Sequence, residues 1–185
     1  IYLDGHFVNI NDNGHQQLSL NKFQARLGQD LINGSLSISN FMQPIIDGDF
    51  NGLIALEKLA AFTNMSSFTL GGDAGMDISY KIRFNETGDD YNIDLLDGDI
   101  KIIQMQGVLS DYQVAFENIN GQLTFLKKAL RSNKIKGKIN GADFETQLTL
   151  KNIMDYLTGI SDKLIIKSNI KVNELDLDAL SIASQ

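Results

Sequence analysis

The stretch "DGDFNGLIALEK", residues 47–58, places oxygen-bearing side chains at a spacing that could hold calcium. Asp47, Asp49 and Asn51 stand two apart, Gly52 follows, and Glu57 comes later. A helix–loop–helix calcium site takes oxygens from positions one, three and five, a glycine at six and a bidentate Glu at twelve. Here Glu57 stands eleventh and the twelfth position is Lys58, a cation. The preceding "SLSISNFMQPII" alternates like a strand and contains Pro44, so it supplies no entering helix. The expectation is a solvated hairpin turn with no metal. A second near-match, "NINDNG" from Asn9, begins with a neutral residue and has Leu20 at its twelfth position.

Other chemistry is sparse. His6 lies in the alternating "DGHFVNI" and His15 follows Asn13-Gly14, whereas a metal site needs about three convergent ligands. Both are read as histidines on a wet strand face. "GGDAG", Gly71 to Gly75, is glycine-rich but precedes a strand rather than a helix, so it is expected to be a plain loop. Asp89-Asp90 and the group Asp94, Asp97 and Asp99 read as acidic turns. No nucleophile elbow, phosphate loop or dinucleotide fingerprint occurs. The expectation is a non-enzymatic chain with no catalytic residue, no metal and no cofactor.

The elements behind these residues follow from composition and period. With 43% hydrophobic and 21% charged residues, the 185-residue chain is foldable rather than disordered. Its charge of −7 disfavours nucleic acid, and its Lys and Arg look scattered, with no basic stripe. The absence of cysteine excludes disulfides, zinc–thiolate sites and thiol catalysis. No apolar run of about 18 residues could span a membrane as a helix. The chain starts at Ile1 without a signal peptide, so it is expected to be a single β-rich piece, residues 1–185, of something longer. Its acids are 18 Asp and 5 Glu, with 17 Asn and 16 Gly, which favours turns over helices.

The period is two. In "MDISYKIRF", residues 76–84, Ile78, Tyr80, Ile82 and Phe84 alternate with Ser79, Lys81 and Arg83, giving one dry and one wet face. "LSLNKF", "GSLSIS", "GDIKII", "GQLTFL", "TQLTLK" and "LIIKSNIKV" repeat the pattern. Asn13-Gly14, Asn33-Gly34, Asp97-Gly98, Asn120-Gly121 and Asn140-Gly141 read as tight turns between strands. Two short helices are expected. One is "LEKLAAF", with Leu56, Leu59, Ala60 and Phe62 on one face; the other is "KNIMDYL", with Ile153, Met154 and Leu157 on one face and Asn152 as a cap. The fold expected is all-β: a long, strongly curved antiparallel meander forming an open groove or half-pipe. A compact β-sandwich is the alternative.

The sequence also repeats. "DFNGLIALEKLAAF" from Asp49 matches "DFETQLTLKNIMDYL" from Asp143, and "INGSLSI" matches "INGQLTF". Two related units at roughly 16–64 and 111–158 are therefore expected. In the second copy Glu145 and Thr146 replace Asn51 and Gly52, so the calcium-like spacing is not a property of the unit.

"VAFENINGQLTF" followed by "KIKGKINGADFETQLTLKNIMDYL" resembles the C-terminal region of AsmA-family envelope proteins. The resemblance rests on Phe116, Ile119, Gly121, Leu123, Phe125, Gly137, Gly141, Asp143, Phe144, Leu150, Ile153 and Leu157. "LSISNFMQPIIDGDFNGLIALEKLAAF" is similar to the preceding unit and "NIKVNELDLDAL" to a closing strand, so the likeness runs over about residues 16–180. Its motifs are packing and turn patterns, not catalytic signatures. It implies a periplasmic protein anchored in the inner membrane through segments outside this chain, with repeating β-groove units and possible envelope protein partners. It also implies phospholipid transport towards the outer membrane, or a part in outer-membrane assembly.

An apolar half-pipe is a lipid binder on physical grounds as well, since each buried CH₂ contributes about 0.8 kcal/mol. The expected partners are phospholipid acyl chains. The lining expected from alternation is Leu36, Ile38, Ile78, Tyr80, Ile82, Phe84, Ile100, Ile102, Leu123, Phe125, Leu148 and Leu150. The competing expectation is a structural β-sandwich or adhesin-like module, with or without calcium at its acidic turns.

Overall fold

The computed structural model describes residues 2–10, 15–58, 68–88, 90–110, 113–126, 129–157 and 161–173. These residues are all-β. Ten strands run as β1 (Tyr2–Ile10), β2 (His15–Leu27), β3 (Asp30–Ser39), β4 (Ile45–Ala55) and β5 (Phe68–Phe84), then β6 (Tyr91–Leu109), β7 (Val114–Leu126), β8 (Ala129–Ile139), β9 (Ala142–Lys151) and β10 (Ile165–Val172). They form one sheet in chain order, so it is an unclosed meander with β1 and β10 at its edges. The described strands make one sheet rather than two facing ones. Among the described residues, α-helix is confined to residues 56–58 and to Ile153–Leu157. The helix positions expected at Leu59, Ala60 and Phe62 lie outside the described residues, as does the Asn13-Gly14 turn. Asn152 precedes the second helix with φ 58, and its carbonyl accepts the Tyr156 N–H at 2.9 Å.

The sheet divides into two compact units. One holds Ile1–Leu53, Met76–Asp99 and Phe125–Lys128; the other holds Ile54–Gly75, Ile100–Thr124 and Ala129–Gln185. The two sequence copies hold different places in the sheet: β3 and β4 are neighbours, whereas β8 lies between β7 and β9.

Most of the expected turns are corrected. Gly34, Gly98 and Gly121 lie inside β3, β6 and β7, and only Asn140-Gly141 makes a turn among the described pairs. The reason is steric. A Cβ on Gly34 would stand 2.8 Å from the ring of Phe23, and one on Gly121 would stand 2.8 Å from Cγ1 of Ile135. These glycines make room for a neighbouring strand's side chain to lie across them. "GGDAG" is also strand, not loop, with Ala74 buried in β5. Asp47, Asp49 and Asn51 sit within β4, and Asp94, Asp97 and Asp99 within β6, so neither group is a turn.

The core is thin. No large side chain among the described residues is fully buried, and the best-covered apolar ones, Ile119 and Ile54, keep 3% and 4% of their surface exposed.

Candidate functional site

Opposed residues of an antiparallel pair share a face. In the first unit this builds three rows across β2, β3 and β4: Leu18–Ile38–Ile46, Leu20–Leu36–Gly48 and Phe23–Gly34–Phe50. All of their side chains are half-buried. The Phe84 N–H donates to the Pro44 carbonyl at 2.8 Å, and a Cβ on Gly48 would stand 3.1 Å from the Tyr80 hydroxyl. These two observations place Tyr80, Ile82 and Phe84 of β5 on the face of Gly48 and Ile46. The Phe84 ring lies 6.1 Å from that of Tyr91, tilted by 49°. Seven of the twelve expected residues fall in this unit: Leu36, Ile38, Ile78, Tyr80, Ile82, Phe84 and Phe125. Ile78 and Phe125 are buried and the other five are half-buried.

The opposite face of this unit is polar. Gln24 donates to Asn33 at 2.9 Å, Gln17 to Ser37 at 3.2 Å, and the Ser35 hydroxyl to the Asp49 carboxylate. Arg83 pairs with Asp94 at 2.6 Å. Successive same-face residues of a strand lie about 6.8 Å apart, so Asp47, Asp49 and Asn51 do not close on one ion. Among the described residues no group of three or more His, Asp or Glu converges. His6 is exposed on β1, opposite Ser19.

The second unit carries Ile100, Ile102, Leu123, Leu148 and Leu150. Leu123 is buried, while Ile100 and Ile102 are half-buried and flank exposed Lys101. Across β8, β9 and β10 the rows are Leu130–Leu150–Ile166, Ser132–Leu148–Ser168 and Ile135–Thr146–Ile170. This apolar face is broken by hydroxyls. Ser132 is buried and accepts the Lys134 N–H at 3.2 Å, and the Thr146 hydroxyl donates to the Asn169 carbonyl at 3.1 Å. At the edge, Ile166 and Ile170 stay 60% and 55% exposed.

Sequence reading left Leu18, Leu20, Phe23, Ile46 and Phe50 out of the lining. The available signal was "LSLNKF", but the register shifts between Leu20 and Phe23. That bulge turns a spacing of two into three and hides Phe23 from a strict period.

Tyr80 is a titratable group on the apolar face of the first unit. Burial, then the charges of Asp47 and Asp49, raise its pKa above the ordinary 10.0. The folded value lies above the unfolded one, so this contribution to stability is complete below pH 10.0 and is lost as pH rises through the folded value. Replacing Asp47 and Asp49 by Asn is expected to lower the Tyr80 pKa without restoring it to 10.0, because burial remains. Ultraviolet titration of tyrosinate, with Tyr80→Phe as the difference reference, measures this.

No protein family, characterised protein or solved structure matches the chain.

Proposed function

We propose that the chain is a lipid-binding, lipid-conducting segment of a periplasmic AsmA-like envelope protein. Its apolar sheet face takes phospholipid acyl chains, and the full-length protein is held at the inner membrane by segments outside these residues. It serves phospholipid transport to the outer membrane, or the assembly of that membrane. The observation that carries this reading is the half-covered apolar face of the first unit, in an unclosed sheet with little described helix. Leu36, Ile38, Tyr80, Ile82 and Phe84 line that face, with Leu18, Leu20, Phe23 and Phe50 beside them. Apolar side chains at half burial gain further stabilisation when an acyl chain removes their remaining water, at about 25 cal/mol per Å² covered. Specificity then comes from shape and chain length rather than from a reacting group.

Purified protein is expected to carry phospholipid, seen by native mass spectrometry and by organic extraction. Protein that is lipid-free as isolated and also fails to bind a fluorescent fatty acid overturns the reading.

A further inference from the structure

The wet face of β8, β9 and β10 gathers cations that look scattered in the sequence. Residues 127–173 hold ten Lys or Arg and four Asp or Glu, a net charge of +6. The chain's total of −7 therefore leaves −13 to the remaining residues. Strand pairing turns this excess into a surface. Arg131 opposes Thr149, which opposes Lys167, so that row holds two cations and no acid. Lys136 opposes Glu145, which opposes Lys171, placing one carboxylate between two lysines. Lys134 also reaches Glu145, at 2.8 Å. Lys138 opposes Asp143. The earlier expectation of no basic stripe is thus corrected by pairing, which puts residues some thirty apart side by side.

The field on this face is positive. The Glu145 carboxyl is exposed, yet it is held below its ordinary value, first by the Lys134 hydrogen bond and also by the charges of Lys134, Lys171 and Lys136. A shallow hollow of about 480 Å³ opens between Lys136, Lys138 and Lys171, with Asp143 and Glu145 and the amides of Asn118, Asn120 and Asn173 also on its walls, so three cations face two carboxylates there. The Asn120 amide is held within the protein, donating to Asn118 at 2.8 Å. Ile165 is exposed on the same face, two residues before Lys167.

We infer that the charged face of β8–β10 is a docking surface for anionic phospholipid headgroups at a membrane surface. The charge pattern selects this occupant. Alternate residues lie about 6.8 Å apart along a strand, and β8 and β10 are two strand spacings, about 9.6 Å, apart, so their cations form two lines flanking β9, whose facing positions carry Thr149, Glu145 and Asp143. Two such lines meet many phosphates at once on a bilayer. The hollow carries one aromatic ring, Phe144, among its lining, whereas a nucleic-acid groove sets several rings in succession for bases to stack on. An apolar side chain standing among lysines suits the headgroup boundary, where it finds hydrocarbon while the ammonium groups stay in water. The inference does not need acyl chains on the other face, because these cations alternate with the apolar positions of their strands and point away from them.

The test is flotation of the chain with vesicles of phosphatidylcholine, with and without phosphatidylglycerol, at low and high salt. Binding is expected only with phosphatidylglycerol and is expected to fall steeply with salt. Lys136→Glu, Lys167→Glu and Lys171→Glu together are expected to weaken it by about a hundredfold or more. A matched triple at the exposed Lys22, Arg26 and Lys101 makes the same net-charge change and is expected to leave binding within about twofold. Circular dichroism checks that both triples fold, and the salt dependence of the unaltered chain stands if either does not. Equal binding to phosphatidylcholine alone, equal loss in both triples, or retention on heparin without vesicle binding overturns the inference. So does salt-sensitive self-association without vesicle binding, which would make the partner a second copy. Acyl-chain uptake measured on the same samples reports separately on the opposite face.

Discussion

A chain carrying aspartate at both Ile38 and Ile82 is expected to fold and to lose fluorescent fatty-acid binding by about a hundredfold or more. Both residues belong to the first unit and both are half-buried, Ile38 in the row Leu18–Ile38–Ile46 and Ile82 on β5. At half burial a carboxylate keeps part of its hydration, so the unliganded sheet loses only about 1–2 kcal/mol per site. Acyl chains remove that water. An unpaired carboxylate pressed against hydrocarbon then costs several kcal/mol, whereas a hundredfold loss of affinity needs only about 2.8 kcal/mol. The paired control is Ser37→Asp with Lys81→Gln, next to the altered positions in sequence and making the same change of −2 in net charge. Ser37 lies in the polar row Ser19–Ser37–Asp47, and Lys81 sits between Tyr80 and Ile82 on the alternate face. That control is expected to leave binding unchanged within about twofold. If both pairs lose affinity equally, the effect is one of net charge, and the apolar face is not where the acyl chain lies.

The strands were legible because a half-buried sheet imposes a period of two. "MDISYKIRF" falls in β5 and "TQLTLK" in β9. The helix Ile153–Leu157 was legible from Ile153, Met154 and Leu157, although it needs packing against the sheet at that length. The Asn-Gly and Asp-Gly pairs misled because hairpin turns and crowded strand interiors ask for the same residue, one without a Cβ. The distinguishing mark was present in "LINGSLSI", where Ile32, Gly34, Leu36 and Ile38 keep one parity straight through the glycine. A tight turn reverses the chain, whereas this run continues it. "DLLDGDIKII" hides its mark better, since half-buried positions on β6 switch from Tyr91 and Ile93 to Leu96, Ile100 and Ile102. The excess of cations in residues 127–173 was legible as composition, but the face they share was not. Arg131 and Lys167 are 36 positions apart, and only β9, with Thr149 between them, makes them neighbours.

Gly98→Ala is expected to be the most damaging single-methyl change in the first unit, at about 3 kcal/mol. Gly98 has φ 131, a region that only glycine occupies without strain. A Cβ there would collide with the Asp77 carbonyl oxygen and stand 2.8 Å from the Ile78 Cα. Both are backbone atoms of β5, so relief requires the strand itself to move, and Ile78 is one of the few buried side chains available to resist. Gly88 is the control. It has φ 74, and nothing lies within 4 Å of its added Cβ. Gly88→Ala therefore meets the left-handed penalty alone, about 1 kcal/mol. For a chain of this length each kcal/mol shifts the melting midpoint by about 2–4 °C, so Gly98→Ala is expected to melt about 6–12 °C lower and Gly88→Ala about 2–4 °C lower. Far-UV circular dichroism during heating measures both. Equal shifts would mean that the close approach of β6 to β5 at Gly98 contributes nothing. A large shift only at Gly98 ties the burial of Ile78 to a backbone contact that a side chain of any kind would break.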